Sequence, residues 1–181
     1  MDYVRRIQEH QDMYQQRMGK SLSLNPPMDL NEKIHWLEIF AYGESETRCS
    51  DKYAVRQYVS KMGCAHILTK LYSVCERADQ ILFEELPDKF VLKTNHSCHC
   101  VHICRNKASF DKEAALQALS EDLNKDFSKK KHEYHYSGIP RKIICEELID
   151  DGTGKAPLDY KFFASTANLH VYWCALIAIL Y

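Results

Sequence analysis

"LPDKFVLKTNHSCHCVHICRNK", residues 86–107, decides how this chain is read. "KFVLKT" (89–94) is short and rich in branched and aromatic residues, the composition of a strand. "VHICRN" (101–106) reads as its returning partner, so the residues between them form a hairpin connection. Three histidines and three cysteines fall between His96 and Cys104. Such a cluster suits either a metal or, as a strand–connection–strand carrying Lys93, the cover over a phosphate. Zinc takes imidazole and thiolate. Yet alternate residues of a straight strand stand about 6.6 Å apart, whereas sulfurs sharing one zinc stay within about 4.6 Å. A bend at 97–100 would be required, and the usual C-x-x-C pair is absent from the sequence. The phosphate reading has the opposite defect. Loops that approach phosphate closely favour glycine, and none of residues 94–104 is glycine.

Working outward, helices precede the hairpin. Residues 2–18 place Val4, Ile7, Tyr14 and Met18 on one helical face, with Gly19 as a stop. Asp29 with Glu32 forms a capping-box pattern before Trp36, Leu37 and Phe40, which are expected inward. Ser50 is placed to cap a third helix over 51–62, with Ala54, Val55, Tyr58, Val59 and Met62 as its stripe. "HILTKLYSV" (66–74) is a further strand, and "RADQILFEELP" a helical turn. Asp111 opens a helix over 111–127, with Leu116, Leu119, Leu123 and Phe127 spaced three or four apart. "RKIICEELI" (141–149) and "LDYKFF" (158–163) are strands around a "DDGTG" turn. Without regular strand–helix alternation the class is α+β: N-terminal helices, then a mostly antiparallel sheet.

The 181 residues, 45% hydrophobic and 27% charged, fit one globular core, and a net charge of -1 gives no global attraction to nucleic acid. The basic run at Lys125 and Lys129–Lys131 is interleaved with Glu121, Asp122, Asp126 and Glu133, the composition of a solvated helix end. The first 20 residues are polar where a secretory leader needs an apolar run, which gives a cytoplasmic expectation. Eight cysteines in a reducing compartment are expected as free thiols. The closing "LHVYWCALIAILY" is 13 residues, short of the roughly 20 that span a bilayer, so a membrane partner is not expected.

Five stretches, "LNEKIHWLEIF", "SDKYAVRQYVSKMG", "LPDKFVLKTNH", "IICEELIDDGTG" and "LDYKFF", together resemble the TupA-like branch of the ATP-grasp superfamily over about residues 20–163. The resemblance implies an ATP-grasp sheet, incomplete at its C-terminus, with 1–63 as a helical region, 64–161 as a partial nucleotide-binding region and 162–181 as an uncharged tail. It implies a carboxylate–amine ligase, or a related enzyme, of bacterial surface-polysaccharide assembly. ATP with magnesium is the implied cofactor, and a sugar polymer or an amino acid the implied substrate. Lys93 would match the strand lysine at the α- and β-phosphates, and Lys52 an earlier lysine near the nucleotide. Glu146, Glu147 and the backbone of Leu148 would match the adenine hinge. Asp150 or Asp151 would reach the ribose, and Lys161 the phosphates.

Two departures shape the expectation. The family's glycine-rich loop is Ser-Cys-His-Cys-Val at residues 97–101, and the sequence after Asp159 holds no Asp or Glu to serve as magnesium ligands. The resemblance therefore implies a shortened ATP-grasp chain that is inactive alone. A non-catalytic binding module and a Cys/His metal hairpin stand as the rival expectations.

Overall fold

The computed structural model describes residues 3–128, 132–150, 152–153, 164–165 and 168–169. Four helices come first: α1 (Tyr3–Met18), α2 (Leu30–Phe40), α3 (Glu44–Ser50) and α4 (Ala54–Lys61). Strands β1 (Leu71–Cys75), β2 (Phe90–Thr94) and β3 (Val101–Cys104) follow, then helix α5 (Lys112–Leu123) and strand β4 (Ile143–Glu146). These strands form one antiparallel sheet in the order β1-β4-β2-β3. This is the expected class, α+β with N-terminal helices before an antiparallel sheet. Two-residue strands β5 (Ala164–Ser165) and β6 (Asn168–Leu169) pair antiparallel beyond it. The strand expected over 158–163 lies outside the described residues.

The period-two alternation of the strands divides the sheet into two faces. Phe90 and Leu92 of β2, Ile143 and Cys145 of β4 and Cys104 of β3 share the main core with Leu119 of α5. Val91, Lys93, Ile144 and Glu146 point the other way, because Val91 is opposite Glu146 and Lys93 opposite Ile144 in the ladder. Helix α5 is fixed at its start by Asp111, whose carboxylate accepts from the Ala114 N–H at 3.0 Å. It buries Ala115 and Leu119 against the sheet and ends at Leu123, one turn short of the expected 127.

Several expectations fail for physical reasons. The helix expected after Ser50 is α4, and Ser50 does not cap it: the Asp51 carboxylate accepts from Tyr53 N–H at 2.8 Å and Ala54 N–H at 3.2 Å. Helix α3 has no buried residue and hence no apolar period to betray it. Its start is marked by Glu46, which accepts from Gly43 N–H at 2.7 Å. The stripe of α4 is not buried, with Tyr58 and Met62 exposed. On α1 the buried face is His10 and Tyr14, while Val4 is 81% exposed. On α2 it is Glu32 and Ile39, with Trp36, Leu37 and Phe40 only partly covered, at 37–40% exposed. The strand expected over 66–74 begins only at Leu71, and 65–67 is a 3-10 turn. Its partner β4 is four residues long, so the ladder has nothing to pair with earlier.

Candidate functional site

Lys93 and Glu146 lie diagonally across the β2–β4 ladder on the same face, and the Lys93 ammonium donates to Glu146 Oε1. Both side chains are mostly enclosed, 17% and 12% exposed. The second carboxylate oxygen of Glu146 accepts from Thr69 Oγ1 at 3.3 Å and lies 3.7 Å from Arg56 Nη1. Arg56 in turn donates to the Thr69 carbonyl. One carboxylate is thus held between two cations, Lys93 from the sheet and Arg56 from α4. Sequence reasoning missed Arg56 and Thr69, since nothing in "AVRQYV" marks one arginine as facing a strand 90 residues away.

Lys52 reaches the site from the loop before α4. Its ammonium donates to the Ser97 carbonyl, and its backbone N–H donates to the Asn95 carbonyl at 3.1 Å. Burial lowers its pKa below the usual lysine range, and the nearby charge of Lys93 lowers it further. The two lysines therefore feel one another across the β2 terminus. Lys52 also lines a small cavity of about 120 Å³ with His96, Ser97, Cys98, Phe127 and Tyr136.

The connection 95–100 is built without glycine geometry. Among the described residues the only non-glycine with a positive φ is His132, so every residue of this loop keeps an ordinary backbone. Ser97 shapes it: its buried Oγ accepts weakly from the His99 and Cys100 N–H groups, both at 3.4 Å. Those are loop N–H groups that an anion cradle needs pointing outward, and here they turn inward. Asn95 anchors the entry, donating to Asp51 Oδ1 at 2.8 Å and to the Pro140 carbonyl at 2.9 Å, and accepting from Lys142 N–H at 2.7 Å. Cys100 Sγ meets His102 Nε2 at 3.6 Å, but no third cysteine or histidine of the loop joins them among the described residues. Cys100 donates to the Ala118 carbonyl and Cys104 to the Asp88 carbonyl, while Cys98 is exposed. Burial pushes the Cys100 thiol up to about 11 and that of Cys145 up to about 12. All seven cysteines among the described residues are free.

Beyond β4 the hinge residues diverge. Glu147 is exposed, its N–H donates to the Lys70 carbonyl at 2.8 Å, and its carboxylate accepts from Lys70 N–H at 3.3 Å. The backbone of Leu148 enters no hydrogen bond among the described residues. Asp150 is taken by Lys89 at 2.8 Å and approached by Arg105 at 3.8 Å; the hydrogen bond from Lys89 holds its carboxyl below the usual range. Asp151 and Lys161 lie outside the described residues.

The model of the TupA-like ATPgrasp family matches residues 32–172. The chain belongs to that family. No curated protein and no solved structure matches it. ATP-grasp proteins as a class use ATP with magnesium, and the TupA-like match spans β1 to β4 together with α4, which carries Arg56. The donor chemistry here fits the two requirements unequally. Ammonium groups at Lys52 and Lys93 suit an anionic ligand. Magnesium demands oxygen ligands, and the carboxylates of this site are engaged: Glu146 by Lys93 and Arg56, Asp150 by Lys89. The sequence beyond Asp159 supplies no further Asp or Glu. The described residues of this site do not fit a magnesium site.

Proposed function

We propose that this chain is a nucleotide-binding ATP-grasp module serving the assembly of a bacterial surface polysaccharide, and that it recognises ATP without turning it over by itself. The observation that supports this reading most is the Lys93–Glu146 contact beside Lys52. Lys93 and Arg56 hold the Glu146 carboxylate, and Lys52 lies beside Lys93 at the β2 terminus with the carboxylates of Asp51 and Asp122 nearby. Two lysine ammonium groups close enough to act on one another on a partly enclosed face support the reading of an anion site. Phosphate oxygens compete with Glu146 for the Lys93 ammonium, and the Leu148 backbone offers a donor and an acceptor for the adenine edge. Glu147 and Asp151 belong to the same reading as rim groups toward base and ribose, and Lys161 as a further phosphate contact.

Turnover is left out because the His99 and Cys100 N–H groups turn onto Ser97 and the described carboxylates Glu146 and Asp150 are already held by cations. A carboxylate–amine ligation, with a sugar polymer or amino acid as acceptor, then requires groups beyond those described. Calorimetric titration with ATP tests the reading. Binding by the folded chain, weakened about tenfold or more in Lys93→Ala, is expected. A folded chain that takes up no ATP, or binds it equally well as Lys93→Ala, overturns it.

A further inference from the structure

The interface between α1 and α2 is filled the wrong way round for simple packing. His10 and His35 lie inside it with Glu38, while Val4 faces solvent and Trp36, Leu37 and Phe40 are only partly covered. His10 Nδ1 stands 2.8 Å from His35 Nδ1, and Glu38 Oε2 lies 3.7 Å and 3.6 Å from these same two atoms. Three donor atoms from two rigid helices thus converge on one point, all within 4.8 Å of one another. Tetrahedral zinc holds its nitrogen and oxygen ligands at about 2.0–2.2 Å, which separates them by roughly 3.3 Å. The two carboxylate distances exceed that edge by about 0.3–0.4 Å, and the imidazole pair needs to open by about 0.5 Å to reach it.

We propose that His10, His35 and Glu38 form a binding site for a divalent transition-metal ion of the zinc type. Two imidazoles with one carboxylate are a borderline-soft donor set, which selects zinc over magnesium or calcium. Three protein ligands leave one coordination position open, and His35 and Glu38 both line a cavity of about 390 Å³ where water completes the shell. On binding, the Nδ1 lone pairs of both rings turn to the metal, the ring protons reside on Nε2, and Glu38 releases its proton. Arg17 and Glu133 line the same cavity, and Glu9 and Arg6 lie on the His10 side, so neighbouring charges roughly offset. Helix α2 is held in place for this by its capping box, Asp29 accepting from Glu32 N–H at 2.9 Å. The site shares no ligand with the Lys93–Glu146 pair, although Glu133 lines both its cavity and the one at Lys52, and its test does not use nucleotide.

The full chain, stripped with a chelator, is titrated with zinc by calorimetry and with cobalt by visible absorption. One zinc per chain is expected, retained through gel filtration, with a cobalt spectrum free of thiolate charge-transfer bands and a melting temperature raised by zinc. His35→Gln and Glu38→Gln each weaken zinc by about tenfold or more, and Cys98→Ser leaves it unchanged. Both variants keep His10, whose complete burial makes its own replacement a folding risk. Failure to bind zinc at one equivalent, zinc binding indifferent to both substitutions, or a site lost in Cys98→Ser overturns the proposal.

Discussion

At the scale of the residue, Asn95 holds the site together. It is 0% exposed, and its amide joins the loop before α4, the β2 terminus and the approach to β4 through three hydrogen bonds. Removing one partner of a buried polar pair leaves the other unsatisfied, at about 1–3 kcal/mol per group. Asn95→Ala strands the Pro140 carbonyl and the Lys142 N–H, and a loss of about 3–5 kcal/mol in urea denaturation is expected. Asn95→Asp distinguishes hydrogen bonding from shape. It sets a second carboxylate against Asp51, so its deficit should exceed that of Asn95→Ala at pH 7 and shrink in acid. Equal stability of Asn95→Asp and wild type at neutral pH contradicts this account. The sequence offered Asn95 only as part of a family-like stretch, because its partners sit 44 to 47 positions away.

At the scale of the element, α5 shows what local sequence can and cannot disclose. Its Asp111 cap and leucine spacing were legible, since both are settled within one helix. Leu119 carries the docking: it is fully buried with Phe90, Leu92 and Cys145. Leu119→Ala should cost about 2–5 kcal/mol by chemical denaturation, the range for a core leucine. Gln117→Ala on the outer face should stay within about 0.5 kcal/mol of wild type. The Asp29–Glu32 capping box was equally local and equally readable. The buried face of α1 was not, because hydrophobicity pointed to Val4 and Met18. His10 is buried by a tertiary event, its contact with His35 on another helix. The placement of Lys93 and Glu146 on one face was also beyond the sequence alone. It depends on a ladder register in which Val91 opposes Glu146, and a slip of one residue would send Glu146 to the core side.

At the scale of the whole molecule, buried titratable groups set the pH range in which the fold holds. Burial lowers the pKa of His10 to about 4, and that of His35, His96, His102 and His135 below the ordinary 6.5. Burial, aided by Glu133, raises Glu38 from 4.5 to about 7. The 3.7 Å approach of His10 to Glu38 is therefore a contact between neutral groups from about pH 4 to about pH 7, not an ion pair. The linkage signs oppose one another. For the histidines the unfolded chain binds more protons, so their contribution is complete above about 6.5 and is lost as pH falls toward each folded value, about 4 for His10. For Glu38 the folded chain binds more, so its contribution is complete below about 4.5 and is lost as pH rises through about 7. Metal-free wild type should thus lose stability gently from pH 7 to pH 5, Glu38 partly offsetting the histidines. Glu38→Gln removes the offset. It should be more stable than wild type at pH 8, by about 3 kcal/mol from the linkage of one shifted group, and should lose stability more steeply in acid. Melting curves in chelator across pH 4–8 check both ends; parallel profiles for the two proteins would mean that Glu38 is solvated and ionised in the native state.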